Sequence, residues 1–275
     1  MAIKNILVDF NGSEHSKSAL RLARLLMHEH DAHLTGALTF TSSKIGTTLH
    51  PYASQDLNRM IEQAEGDRRR AIHAEFFDCI GPESAERIHW VEKRGDVDFS
   101  LVDLAHSFDI VLIGQYSATP DSRHLAPHQD LIALNSGRPV LVVPDRFNGT
   151  GLDGKVLLAW DGGRAAARAL ADALPLIGPQ NDVSVVSVGA GTAEMLEHLA
   201  RVVEHLKRHG IAAESEIIPR SNRSIGKVLM DEAERQGARL LVMGAYEHAK
   251  FFEDIWGGAT HSAINNASIP ILLSH

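Results

Sequence analysis

The chain has 275 residues, of which 44% are hydrophobic and 23% charged, a composition ordinary for a soluble globular protein. This length suits two domains of about 130–140 residues each. The formal net charge of −8 argues against binding to nucleic acid or to an anionic membrane surface, because both need clustered positive charge.

Three further features of the sequence point to the cytoplasm. No apolar run approaches the ~20 residues that a transmembrane helix needs. The sequence opens on a strand-like run over residues 3–8, without a charged segment leading into an apolar one, so we expect no signal peptide. The single cysteine, Cys79, excludes an intrachain disulfide and fits a reducing compartment.

The first half opens with a predicted strand over Lys4–Asp9, which ends at the turn formers Asn11-Gly12-Ser13. Ser13 or Ser16 can cap the helix that follows, whose spacing predicts one buried face made of Ala19, Leu22, Ala23, Leu26 and Met27. The remaining predicted elements of this half are a strand over 32–39, a helix over 57–79, a strand over 89–92, a helix over 97–107 and strands over 110–113 and 140–143.

The second half repeats this order of elements. Gly210 and Gly237 stand where a left-handed residue commonly ends a helix. The predicted strands cover 156–160, 183–188, 213–218, 240–243 and 269–273, and the predicted helices cover 164–176, 193–209, 225–236 and 259–266. Strands that alternate with helices of this length predict βαβ units, right-handed crossovers and a parallel sheet.

The two halves also match each other in sequence, which indicates an internal duplication. Residues 6–12 correspond to 156–162, 113–116 to 243–246, and 138–144 to 269–275. Turn formers with few apolar residues over 144–154 predict a linker between the copies. We therefore predict two domains, at residues 1–146 and 154–275.

The chain opens on Ile6-Leu-Val-Asp-Phe-Asn-Gly-Ser-Glu-His-Ser16, and each half has a strand followed by a glycine loop and a closing apolar strand such as Pro139-Val-Leu-Val-Val143. In this order and in duplicate, these motifs resemble the universal stress protein family in its tandem, two-domain form. The resemblance implies two tandem doubly wound α/β domains of the Rossmann-like, adenine nucleotide alpha hydrolase-like type. Each is expected to hold a five-stranded, mainly parallel sheet flanked by helices. The resemblance also implies that the halves pack as a pseudo-dimer through their last strands, and a homodimer of whole chains is a further expectation.

The resemblance implies a nucleotide site, since many members bind ATP through a Gly-x-x-Gly-x9-Gly-Ser/Thr loop and an aspartate after the first strand. Glycine lets backbone N–H groups approach the phosphates, and the aspartate accepts hydrogen bonds from ribose hydroxyls. In the first half, Asn11 stands for the aspartate, Ser117 for the second glycine and Pro127 for the third. Proline lacks the N–H that a phosphate needs, so we expect no nucleotide in this half.

The second half keeps more of the motif, and the resemblance places the nucleotide there. Asp161 and Gly162 match the aspartate and its glycine, and the further candidate contacts are Val188, Met243, Gly244, Gly257, Gly258 and Thr260. Glu247, also a candidate contact, replaces the second glycine and brings a negative charge that costs on the order of 1–3 kcal/mol. His248 and Lys250 offset some of this charge. We expect ATP or, with less repulsion, AMP, and Mg²⁺ only as the companion of a nucleotide.

The histidines do not predict a metal site. His28, His30 and His33 cluster at the end of the first predicted helix, where an imidazole interacts favourably with the helix dipole. His205 and His209 have the i,i+4 spacing of a ligand pair, but we interpret them as a solvated helix face. No nucleophile elbow, Walker loop or Cys-x-x-Cys motif occurs in the sequence, so we predict no catalytic residues and no enzymatic activity.

The resemblance, together with these features, implies a non-enzymatic cytoplasmic stress-response protein whose second half binds an adenine nucleotide. Two alternatives stay open. One is an interaction scaffold that binds no nucleotide, and the other is a sensor that hydrolyses ATP slowly.

Overall fold

The computed structural model describes residues 2–41, 55–82, 85–116, 127–145, 147, 149, 151–220, 222–245 and 258–275. The elements of the first half are β1 Asn5–Asp9, α1 Glu14–His30, β2 His33–Phe40, α2 Gln55–Ile80, a 3-10 turn at Ala85–Arg87, β3 Ile88–Arg94, α3 Val97–Ala105, β4 Ile110–Gly114, α4 Gln129–Asn135 and β5 Val140–Val143. Those of the second half are β6 Lys155–Ala159, α5 Arg164–Ala173, a 3-10 turn at Leu174–Leu176, β7 Asp182–Val188, α6 Ala193–Arg208, β8 Ala212–Ile218, α7 Ile225–Gln236, β9 Leu240–Gly244, α8 Gly258–Asn265 and β10 Ile271–Ser274.

The predicted strands and helices are present, with ends that shift by a few residues. Ser13 caps α1 as expected, its side chain accepting the backbone N–H of Ser16. The helix predicted over 164–176 is divided into α5 and a 3-10 turn, because Pro175 cannot donate a backbone hydrogen bond. Helix α4 is absent from the prediction. It has only 7 residues, and the side chain of its N-cap residue, His128, makes no capping hydrogen bond within the described chain.

Over the described residues, the strands form one ten-stranded sheet in the order β3-β2-β1-β4-β5-β10-β9-β6-β7-β8. Neighbouring strands are parallel within each half, so each half is a doubly wound, five-stranded domain, as predicted. Strands β5 and β10 pair antiparallel, with Leu141 opposite Leu272. The last strands of the two halves thus join them into one sheet, while the exact domain boundaries stay a prediction.

Helices cover both faces of this sheet. Helices α1, α2, α5 and α6 pack on one face, where Val8, Phe76 and Leu158 are among the buried residues. Helices α3, α4, α7 and α8 pack on the other face, together with Leu7 and Leu157. Successive residues of a strand point to opposite faces, which explains why the central strands are continuous apolar runs. None of the described helices is long and apolar enough to span a bilayer.

Among the described residues, a side-chain hydrogen bond joins the two halves next to the paired strands. Gln115, directly after β4, donates its Nε2 to the backbone carbonyl of Ile264 in α8 at 2.7 Å. A first-half residue therefore holds the last turn of a second-half helix.

Candidate functional site

Each half has one crevice that the topology marks as a candidate site. In a doubly wound sheet, ligands bind outside the carboxyl ends of the strands where the strand order reverses, here at β1 and β4 or at β6 and β9. The strand registers align the two halves, so that Asp9 corresponds to Ala159, and Thr39 corresponds to Val188. The two crevices can therefore be compared residue by residue.

In the first half, side chains that hydrogen-bond to one another occupy the crevice. The Tyr116 hydroxyl donates to Asp9 Oδ2 at 2.7 Å, and Asn11 Nδ2 donates to the Tyr116 oxygen at 2.9 Å. All three residues are buried. Asn11, which stands where the family motif has its aspartate, is thus engaged inside the protein and is not presented to a ligand.

The carboxyl group of Asp9 is electrostatically the most perturbed group of this network. It is 1% exposed, and its Oδ1 has no hydrogen-bond partner among the described residues. Burial raises the pKa of Asp9 to about 7, against the hydrogen bond from Tyr116, which lowers it, and Asp98 adds a smaller rise. Burial and the neighbouring Asp9 also raise the pKa of Tyr116 well above its usual value.

The crevice of the second half instead presents its aspartate to solvent. Asp161 is exposed two residues after the end of β6, and its Oδ1 accepts the backbone N–H of Gly163 at 2.9 Å. Gly162 between them has a φ of +86°, a left-handed conformation that favours glycine. The ring of His198, on α6, lies beside this turn. The turn therefore holds a carboxylate in a fixed orientation at the open end of the strand.

Three apolar side chains form a shelf next to this turn. The shelf comprises Ala159, Val188 and Ile218, which are the last residues of β6, β7 and β8 and are all half-buried. They pack on the same core layer, so they lie on one face of the sheet. The corresponding residues of the first half are polar: Asp9, Thr39 and Lys93. A half-exposed apolar shelf beside a carboxylate suits a planar base attached to a sugar.

The other candidate contacts are distributed between β9 and α8. Met243 is buried in β9, and Gly244 is its last residue. Gly258 begins α8, and Thr260 within that helix is only 3% exposed. Glu247 and Gly257 lie outside the described residues. The structure thus brings Asp161, Gly162, Val188 and Gly244 to the same edge of the sheet.

Gly244 and its first-half counterpart, Gly114, have a packing role that is independent of any ligand. A Cβ on Gly244 would lie 2.6 Å from the carbonyl carbon of Ala165 in α5, and one on Gly114 would lie 2.4 Å from the carbonyl oxygen of His15 in α1. Both strands are therefore crossed so closely by the first helix of their half that only glycine fits. The presence of Gly244 alone does not indicate a phosphate site.

The histidine clusters bring no metal-binding set together. His28 and His30 lie in the last turn of α1, and His33 Nδ1 lies 3.0 Å from His89 Nε2 on the neighbouring strand. His205 and His209 are exposed on one face of α6 and its end, with their rings 4.7 Å apart. Within the described part of the chain, no three metal-ligating side chains converge.

Asp9, Tyr116 and His198 are residues of these crevices whose role the sequence does not predict. Asp9 and Tyr116 are 107 positions apart, and His198 reaches Gly162 from a different helix. One signal was available for Asp9: a carboxylate ends an otherwise apolar strand at a position where the second copy has Ala159. A charged residue at such a position is expected to have a specific partner.

No family model matches the chain. The chain is 28% identical over 233 residues to a universal stress protein of Synechocystis sp., and the match covers 79% of this chain and 75% of that protein. Its fold is similar to the crystal structure of a universal stress protein from Archaeoglobus fulgidus, with a TM-score of 0.73, 14% identity and coverage of 98% of this chain and 95% of that one. It is also similar to that of a putative universal stress protein from Pseudomonas aeruginosa, with a TM-score of 0.59, 15% identity and coverage of 99% and 93%.

Proposed function

We propose that the chain is a universal stress protein, because its sequence and fold are similar to those of such proteins, and that it is a non-enzymatic cytoplasmic stress-response protein that binds an adenine nucleotide in its second half. The ligand is AMP or ATP, with its base on the shelf and its ribose at Asp161. The first half binds no nucleotide and serves as a packing partner for the second.

The contrast between the two crevices carries this proposal. Beside Asp161, the shelf of Ala159, Val188 and Ile218 is apolar and half-exposed. A base can therefore cover these side chains without burying a polar group that lacks a hydrogen-bond partner. In the first half, Asp9 occupies the position of Ala159 and is already hydrogen-bonded to Tyr116. The residues of the second crevice therefore fit an adenine nucleotide, and those of the first do not.

We predict that Asp161→Ala weakens AMP binding by ten-fold or more. The carboxylate accepts hydrogen bonds from the ribose, and such charge-assisted bonds contribute roughly 1.5–3 kcal/mol each. The measurement is isothermal titration calorimetry of the full chain with AMP and with ATP.

The matched control for this substitution is Asp153→Ala, which removes an exposed carboxylate before β6 in the same half. Its affinity for AMP should equal that of the wild type. Nucleotide binding that survives unchanged in Asp161→Ala would contradict the proposed site. Absence of binding by the wild-type chain at millimolar nucleotide would contradict the proposed function as a whole.

The second candidate function is an interaction scaffold without nucleotide binding. The tight packing at Gly244 favours it, because Gly114 has the same packing in a half whose crevice is closed. The glycines kept in the second half could then reflect helix packing alone. Failure of the wild-type chain to bind AMP or ATP in the same titration is the result that this candidate predicts.

A further inference from the structure

We propose that His198 is the phosphate-recognising side chain of the second-half site, where it donates a hydrogen bond to the phosphate nearest the ribose. The inference rests on the nucleotide binding proposed above and names a residue outside the motifs of the sequence. It makes the site selective for a nucleotide over the corresponding nucleoside.

The position of the imidazole is the first reason. A Cβ added to Gly162 would lie 3.0 Å from His198 Nδ1 and 3.6 Å from its Cε1, so the ring lies directly against the turn. Gly162 is adjacent to Asp161, the expected ribose partner. A group that touches this turn is therefore within reach of whatever is attached to the ribose.

The hydrogen-bonding state of His198 is the second reason. The side chain is half-buried, and it makes no hydrogen bond or ion pair within the described part of the chain. An imidazole has a ring N–H to donate in either protonation state. His198 thus brings an unused donor to the turn without needing to break an existing contact.

The first half provides a natural comparison at the same position. A Cβ added to Gly12, the counterpart of Gly162, would lie 3.0 Å from Glu75 Oε2 on α2, the counterpart of α6. Glu75 is paired with Lys17 at 2.7 Å. The half whose crevice is closed therefore has a carboxylate that is already paired with a lysine beside this turn, whereas the half with the open crevice has a hydrogen-bond donor.

The test compares AMP with adenosine, because the two ligands differ only in the phosphate. Calorimetric titration of the full chain should show that His198→Ala weakens AMP binding about ten-fold, the effect of losing one hydrogen bond to a charged group. His198→Glu, which places a negative charge beside the turn, should weaken AMP binding further, because the carboxylate repels the phosphate. Adenosine should bind the wild type and both variants equally.

The matched control is His205→Ala. His205 is an exposed histidine seven residues later on the same helix, and the affinity of this variant for AMP should equal that of the wild type. Equal losses for AMP and adenosine in the His198 variants would overturn the inference, since His198 would then support the site by packing. Unchanged AMP binding in both variants would also overturn the inference. The proposed function would still hold in that case, because the wild-type chain would bind AMP. A wild-type chain that binds neither ligand would overturn both.

Discussion

The carboxyl group of Asp9 is buried, which is unfavourable for its charged form. One of its oxygens accepts the Tyr116 hydroxyl, while the other is buried without a partner among the described residues. A buried carboxylate of this kind is stabilised by taking up a proton, which removes the charge that burial penalises. In the folded chain, Asp9 therefore binds and releases a proton near neutral pH.

We predict that Asp9→Asn removes a pH dependence of stability. The folded pKa of about 7 lies above the ordinary value of 3.8, so between these values the folded chain holds a proton that the unfolded chain has released. The free energy of unfolding of the wild type then falls as pH rises through this window, by roughly 1.4 kcal/mol per pH unit at most, and levels off above it. Urea unfolding at several pH values measures this slope.

Between about pH 4 and about pH 8, the free energy of unfolding of Asp9→Asn should thus rise by a few kcal/mol relative to that of the wild type. Asp153→Asn, at an exposed position, should show the wild-type slope. Parallel profiles for the wild type and Asp9→Asn would show that Asp9 does not titrate in this range.

Helices α7 and α8 pack closely together because α7 has a glycine, Gly226, where the two helices meet. A Cβ on Gly226 in α7 would lie 2.3 Å from the carbonyl oxygen of Ala259 and 2.5 Å from the amide nitrogen of Ala263, both in α8. Backbone atoms cannot rotate away, so we predict that Gly226→Ala costs about 1–3 kcal/mol of unfolding free energy by overpacking. Chemical denaturation measures the change.

The same substitution should have the opposite sign at Gly66. This glycine lies within α2, where the nearest atom to an added Cβ, Arg70 Nη1, is at an ordinary contact distance of 3.6 Å. Alanine is the better helix former by roughly 0.5–1 kcal/mol, so Gly66→Ala should stabilise the chain. Losses of similar size at both positions would mean that contact with α8 is not the cause at Gly226.

The elements themselves follow from the sequence more readily than their contacts do. Apolar runs such as 110–113 and 140–143 predict buried strands because their side chains are apolar on both faces. Helix α4 could not be predicted, since it is short and lacks a capping signal. The Asp9–Tyr116 bond and the approach of His198 to Gly162 depend on which strands and helices become neighbours, and that information is not local. Asp161, by contrast, is exposed at a strand end, where the motif predicts it.

At the scale of the whole molecule, the paired strands β5 and β10 determine how the halves behave together. Each residue of these two strands is buried, so separating the halves would expose two apolar strands with unpaired backbone groups. That cost favours a single cooperative unit over two independent domains.

We predict that a core substitution in one half destabilises both halves alike. Leu206 is a core residue on the buried face of α6, so Leu206→Ala should lower the free energy of unfolding by about 2–5 kcal/mol. Hydrogen exchange should then show reduced protection of β1 in the first half as well as of β6 in the second. The reciprocal variant Leu26→Ala, in α1, should do the same for β6. Loss of protection confined to the substituted half would contradict cooperative unfolding of the two.

The antiparallel pairing of β5 with β10 also determines where the two crevices lie. The strands of one half run opposite to those of the other, so the Asp161 turn and the Asp9–Tyr116 pair are at opposite edges of the sheet. Helix α8 runs between these edges: it begins at Gly258 on the side of Asp161, and its Ile264 carbonyl is held by Gln115, the neighbour of Tyr116 in sequence. Helix α8 therefore connects the edge of the sheet that carries the Asp161 turn to the edge that carries the buried Asp9, and it is the element through which the two crevices are linked in the chain.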